Sequence, residues 1–571
     1  MQNKRKGIRQ AMSRFWLPVL ALVAGPTKLA AEEEVLTKTV EVQRAYDPTL
    51  LDAYKISPIP RLDDTAKVRV KFTYPLRPVK PIANIYLLTP LPPARVQRER
   101  YEQSSDVRAY LRMGMGAKLS TLLDAYVGSE RSRNFLWDAY ANHYGSYGKV
   151  KNDAGEKVPA RDMRNEIGAS AQYSFERALL YANAGFRQHA VRFYGYDTGS
   201  FGLADYEALP ADKVRQHFNR AYFNLEYRSA ELPDSTWGYG ALFGFYDYRS
   251  KSMQAEDALK LCLYANKILR PTTTVGLTVN TDVYLRSERL AASSNTVVSV
   301  EPYAKERKGW WEGTAKLNFA FDNASGSLKT YLYPSVNLTA LLVDNVLLPY
   351  VEVSGRHEAN TYASLTAANP YLAPDTPPDI RSSRTTVSLA GGVKGKLGSL
   401  LSYALGLEYA LTNDMAFFLT SPDSAMLGSA FSVAYDDVKR LTFSGNLLFQ
   451  PVRALEFRYA LRYDSYGMDK LLKPYNRPAL DMRLSGAYNL WNKLNFYASF
   501  NIYGSYAALD FAGKEVLRSS GVDLNFGAAY SFFNSSSVFV QLNNIMSSRY
   551  HVHSSYPTYG FSAMAGYTCV F

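Results

Sequence analysis

Towards the C-terminus the chain alternates. Tyr559, Phe561, Ala563, Ala565, Tyr567, Cys569 and Phe571 occupy one parity, while Gly560, Ser562, Met564, Gly566, Thr568 and Val570 occupy the other. A period of two with one apolar and one small or polar face predicts a β-strand. The pattern recurs upstream. Leu455, Phe457, Tyr459, Leu461 and Tyr463 alternate with Glu456, Arg458, Arg462 and Asp464. Leu494, Phe496, Phe500, Ile502 and Tyr506 stand against Asn495, Ser499, Asn501, Tyr503 and Ser505. Phe223, Leu225 and Tyr227 oppose Asn224, Glu226 and Arg228; Leu524, Phe526 and Tyr530 oppose Asp523, Asn525 and Ser531. Strands of about 10 residues suit a tilted crossing of a bilayer, whereas soluble strands average about 5–6. The apolar parity is then expected to face lipid and the polar parity a lumen.

The connections alternate in length too. Short turns are expected at Glu231–Asp234, Arg307–Gly309, Asp344–Asn345, Gly395–Gly398, Gln450–Val452, Trp491–Lys493 and Phe533–Ser536. Between them lie longer polar segments at 197–213, 361–384, 412–430, 466–477 and 507–518. Short periplasmic turns alternating with long external loops is the pattern of an outer-membrane barrel, and the count from Asp106 gives about 22 strands. The expected fold is all-β: a transmembrane antiparallel β-barrel over residues 106–571. Near its start, Gly114-Met-Gly116 and Lys118 to Thr121 read as a tight turn or a bulge.

Residues 1–31 differ from all of this. Lys4, Arg5, Lys6, Arg9 and Arg14 precede a short apolar run, Phe15 to Val23, and Ala30-Ala31 precedes three glutamates. A basic start, a run too short to span a bilayer and a small-residue cleavage site predict a secretory signal peptide, cut after Ala31. Residues 32–105 hold eight prolines from Pro58 to Pro93. Proline disrupts helices and sheet ladders alike, so an extended N-terminal segment is expected, periplasmic or lumenal. It could occlude the lumen, contact a periplasmic partner, or act as a spacer.

Composition sharpens the picture. Hydrophobic residues make up 47% of the 571, yet the mean hydropathy is −0.23, so the apolar residues are dispersed and not gathered into spanning helices. Aromatic residues reach 14%, with 44 Tyr, which fits the interfacial girdles of a membrane barrel and equally a secreted β-sandwich array. Of the net charge of +13, residues 1–31 carry +6, and the other basic residues are interspersed with acids; nucleic-acid binding would need a basic patch or stripe. Cys262 and Cys569 are too few for a disulfide framework and read as small hydrophobes facing lipid.

Enzyme chemistry finds little support. Of six histidines only His551-Val-His553 are close. They could share a metal but have no evident third ligand, and they read as part of a solvated loop. Gly391 to Lys396 hints at a phosphate loop but lacks the first glycine and the terminal Ser/Thr, and it reads as a periplasmic turn. No enzyme and no cofactor is expected. The candidate site residues are the charges on the lumenal parity: Glu226, Arg228, Glu352, Arg356, Glu456, Arg458, Arg462 and Asp464. They are either a structural set that pairs internally or a selectivity lining.

Val538-Phe-Val-Gln-Leu-Asn-Asn-Ile545, Tyr550, Pro557 and the closing alternation from Tyr567 to Phe571 resemble the C-terminal end of TonB-dependent receptors. Val40-Glu-Val42, Tyr46-Asp-Pro48 and the stretch Arg108 to Lys118 look like barrels of that class common in Bacteroidetes. The resemblance implies an outer-membrane transport protein of about 22 strands that takes up a nutrient or other solute. Tyr567, Cys569 and Phe571 would then form a C-terminal signal for the barrel assembly machinery, with outer-membrane lipid as the surrounding partner. TonB is a further partner it implies, with Thr37 to Val42 as a weak contact sequence. Receptors of this family carry a plug longer than residues 32–105, so a barrel without a full plug domain is expected. The alternative is a non-transporting barrel subunit of an envelope assembly that holds a surface-exposed or periplasmic protein. No nucleic-acid partner is expected.

Overall fold

A strand in hydrocarbon must pass every backbone N–H and C=O to a neighbour, because no water is there to take them. Alternating strands of this kind therefore meet that demand only as a closed cylinder. The computed structural model describes residues 109–571 apart from 130–133, 230–236, 291, 325, 344, 377, 422–423 and 534. It shows a single 22-stranded antiparallel sheet. The first strand, Ala109–Gly116, pairs on one side with Ser120–Gly128 and on the other with the last, Ser562–Val570. Phe571 N donates to Ala109 O at 2.8 Å, so no edge remains. The proposed leader, the segment 32–105 and the turn at Glu231–Asp234 lie outside the described residues.

Facing follows the alternation. On the closing strand Phe561 and Phe571 are exposed, while Met564 and Thr568 on the other parity are buried. Leucines, isoleucines and phenylalanines cover the outside: Ile167 is 57% exposed and Leu407 51%. An exterior this rich in exposed apolar side chains belongs in lipid. The protein is an integral outer-membrane barrel. Among the described residues no helix is long and apolar enough to cross a membrane.

Several local expectations are corrected. The first part of the expected 412–430 loop is strand: Leu401–Thr420 and Phe431–Val452 keep pairing to Thr420 and Phe431, through an irregularity between Thr412 and Met415. There Asp414 takes φ 53° and its N–H donates to Asp437 Oδ1 at 2.9 Å. A polar Asn-Asp pair that resembles a turn is thus absorbed as a bulge. Gly391 to Lys396 is not a turn either; it lies inside strand Ser383–Leu397. Gly392 is required there because a Cβ would sit 2.1 Å from Leu405 O and 2.7 Å from the Tyr350 hydroxyl. Between Gly116 and Ser120 the chain makes a tight turn, with Lys118 and Leu119 at φ 61° and 52°.

Cys262 faces the lumen, not lipid. It shares parity with buried Glu256 and Ala258 and lies opposite Asn280, because Leu259, Leu261 and Leu263 take the outward positions of its strand. Cys569 shares the outward parity of Tyr567 and Phe571, and both thiols are free.

Facing can be tested on strand Leu455–Met468. A charge at mid-depth on the lipid face costs about 2–4 kcal/mol and a lumenal charge much less. Leu461→Arg is therefore expected to lower barrel stability by that amount in a denaturant titration, with Ala460→Arg close to wild type. Equal effects would refute the facing.

Candidate functional site

The connections at the end opposite Phe571 are not solvated tails. Loop residues 359–382 turn in over the mouth and include a helix, Tyr362–Ala368. The helix begins where the sequence can cap it: Thr361 accepts from Ser364 N at 2.9 Å, and Thr361 N donates to Ser364 Oγ at 2.9 Å. Its remaining N-terminal donors reach the wall. Glu256, fully buried on strand Ala255–Arg270, accepts from Tyr362 N at 2.9 Å, from the Tyr246 hydroxyl at 3.1 Å and from Arg286 Nε at 3.1 Å. Arg286 also donates to Asn360 O at 3.2 Å and Ser293 O at 2.9 Å. The Tyr362 hydroxyl donates to Gln254 Oε1 at 2.6 Å. A buried carboxylate is tolerable only with its oxygens satisfied, and here helix, wall and arginine together satisfy them.

Beyond the helix the other loops lock onto it. Tyr371 stacks on Tyr556 with ring centroids 3.6 Å apart, and Tyr194 meets Tyr556 edge-on at 4.9 Å. The Tyr556 hydroxyl donates to Ser429 O at 2.6 Å. Phe431 N donates to Tyr371 O, and Ala373 N to Phe431 O, both at 2.9 Å. Asn476 joins two further segments, donating to Phe418 O at 2.7 Å and accepting from Ser554 N at 2.9 Å. At the rim Arg518 and His551 both hold Asp153, each at 2.8 Å. The hydrogen bond from His551, with Arg518 beside it, keeps the Asp153 carboxyl below its usual range. The result is one apolar cluster, including Phe193, Tyr248, Tyr284, Leu365, Leu372 and Phe418, that joins loops to the inner wall.

This overturns the reading of His551-Val-His553 as a solvated loop. His553 is buried against the Tyr371 and Phe431 rings, and burial pushes its pKa down to about 3. Among the described residues no group of three His, Cys, Asp or Glu is placed to hold a metal.

The eight charges singled out in the sequence do not converge. Glu226 and Arg228 are 3.8 Å apart, Arg458 pairs with Glu456, and Arg462 meets buried Asp464 at 2.6 Å. These pairs join neighbouring same-face positions at separate places on the wall. Glu352 accepts from Asn337 Nδ2 at 3.1 Å. Arg356 is a correction. A bulge between Ser354 and Arg356 reverses the alternation, so His357 faces inward, 3.0 Å from Asp322 and stacked on Tyr331. Arg356 turns to the other face beside Glu358, at 3.8 Å. The residues that do converge, Glu256, Arg286, Tyr362 and Tyr371, went unsingled. Their signal was a capping pattern, Thr361-x-x-Ser364, followed by Leu365, Tyr371 and Leu372 in a segment expected to be polar.

No family model matches the sequence, and no curated protein matches it. Solved structures do. The chain is similar to the FrpB iron transporter from Neisseria meningitidis, with a TM-score of 0.63, 12% identity and 81% of each chain covered. It is similar to the siderophore receptor PirA from Acinetobacter baumannii, with a TM-score of 0.60 and 11% identity over 81% of this chain and 80% of that one. It is also similar to a mutant of the ferric enterobactin receptor PfeA from Pseudomonas aeruginosa, with a TM-score of 0.59 and 12% identity over 81% and 80%. What is shared is the fold.

Two outcomes test the closure of the mouth. Removing one partner of a buried ion pair costs about 3–5 kcal/mol, so Glu256→Ala is expected to release the helix. Hydrogen exchange at residues 360–374 should rise sharply while the barrel strands stay protected; unchanged exchange would refute the anchor. The second concerns pH. A histidine held neutral in the fold binds no proton there until about pH 3, whereas the released loop binds one below its ordinary value of 6.5. The stability it contributes is thus fully present above pH 6.5 and is lost as pH falls towards 3. Single-channel opening should increase between pH 6.5 and 4.5, and His553→Phe should flatten that rise.

Proposed function

We propose that this chain is an outer-membrane transport receptor that takes up a solute too large for a simple pore. One observation carries the reading: a 22-strand barrel, wide enough to leave an aqueous bore, has its own loops interlocked over its external mouth. A permanent leak would serve no porin-like role at this width, whereas a closable mouth serves a selective carrier. The solved structures of like fold are named for iron, siderophore and ferric enterobactin traffic, so a ferric chelate is the substrate class to try first. Energy from TonB, reaching the chain through Thr37 to Val42, is part of the proposal. So is recognition of Tyr567, Cys569 and Phe571 by the assembly machinery.

A second reading, a barrel subunit of an envelope assembly, is favoured by the eight charged candidates being paired or dispersed and not gathered into a binding set. Uptake separates the two. Cells lacking the chain should take up radiolabelled ferric siderophores more slowly under iron limitation, and restoring it with residues 361–374 deleted should admit large antibiotics. Normal uptake in the null strain, with stoichiometric partners recovered from native membranes, would overturn the transport reading.

A further inference from the structure

The outer wall is not uniform. On strand Leu401–Thr420 the outward parity stays apolar from Leu401 to Leu411. Across strands Ser120–Gly128 to Arg215–Ser229 it breaks partway up into a hydrogen-bonded polar ladder. Thr121 Oγ1 meets His143 Nε2 at 2.8 Å, and His143 Nδ1 meets Asn165 Oδ1 at 2.6 Å. Asn165 donates to Gln188 Oε1 at 3.1 Å, and Gln188 donates to Asn219 Oδ1 at 3.1 Å. Beyond Asn219, opposite Arg249, lies the ion pair Arg249–Asp247 at 2.7 Å. These side chains share a face with exposed Ile167, Phe186 and Phe223, so the ladder points away from the lumen.

A concavity lies on either side of the ladder along the strands. Towards mid-membrane, alanines 139, 141 and 184, flanked by Ile167 and Phe186, leave an apolar groove of about 620 Å³. Towards the external rim, Arg161, Arg215, His217 and Lys251 surround a pocket of about 230 Å³, with Asp212 the acid among them. Asp212 is engaged by Lys251 at 2.5 Å. Arg161 Nε is buried and has no hydrogen-bond partner among the described residues. The tiers are contiguous: on one strand Met163, Asn165 and Ile167 lead from pocket to ladder to groove, and on the next Ala190, Gln188 and Phe186 do the same.

We infer that this wall binds a phosphorylated, amide-linked glycolipid of the outer leaflet, of the lipid A type. The order of chemistries down the wall is that lipid's own order. A phosphate fits the arginine and lysine pocket, sugar hydroxyls and amides fit the Asn and Gln ladder, and an acyl chain fits the alanine-floored groove. Polar groups turned towards hydrocarbon are costly unless partnered. The ladder partners itself internally and leaves its outer edge for the headgroup. A protein partner would not require this order. The inference is independent of what the barrel carries.

The experiment uses the whole purified protein, exchanged into detergent free of native lipid. Its Tm is followed against diphosphoryl lipid A, the dephosphorylated lipid and inorganic phosphate. Diphosphoryl lipid A is expected to raise Tm, with apparent affinity weakened about tenfold or more by Arg215→Glu with Lys251→Glu. Arg161→Gln and the groove-filling Ala184→Trp should weaken it as well, whereas Lys439→Glu, on the rim of another strand, should not. Should the double variant fail to fold, the single variants still decide. Equal shifts from the dephosphorylated lipid, or an equal shift from phosphate alone (a free-anion site), would overturn the inference. So would wild-type affinity in the variants, or a protein crosslinked to this face at Gln188 in native membranes.

Discussion

Everything in this fold depends on one constraint: in hydrocarbon, a backbone amide without a partner costs several kcal/mol. That requirement joins the first strand, Ala109–Gly116, to the last, Ser562–Val570. It also sets a second problem. A cylinder of 22 strands is too wide for its inward side chains to fill, so the bore must be closed by other means. The wall residues can only pair locally, as Glu226 with Arg228 and Arg462 with Asp464 do.

The external loops supply the closure, and they do it as a small protein core would. Aromatic rings, each worth about 0.5–1.5 kcal/mol per well-placed pair beyond their buried area, do most of the packing, with Tyr371 and Tyr556 in contact at the centre. Apolar packing alone would not fix the orientation of a seven-residue helix. Glu256 does, because a buried carboxylate admits few arrangements of donors and the helix N-terminus provides some of them. The same burial that tightens the closure leaves His553 neutral and the closure sensitive to acid. The packing at the mouth therefore depends on loops and wall together, because Phe218, Tyr248 and Tyr284 of the wall belong to the same cluster as Tyr371 and Tyr556.

The sequence by itself determined the class, the alternation and nearly all of the strand order. A period of two survives averaging over a long chain, and each strand's lipid face is apolar whatever its neighbours are. The turns at Gly309, Gly398 and Trp491 were legible because positive φ falls on a few residue types or on exposed tips.

Only the tertiary structure decided the rest, and the reason is the same in each case. Bulges are set by pairing, so Arg356 and the 412–430 segment could not be placed from one strand's pattern. Gly392 is glycine because Tyr350 and Leu405 from other strands crowd it. Cys262 faces inward because the leucines beside it are the better lipid contacts. The convergence of Glu256, Arg286 and Tyr362 spans about a hundred residues of chain. Local pattern specifies which way a residue points on its own strand; what it meets there is set by closure of the barrel and by the loops that fold back over it.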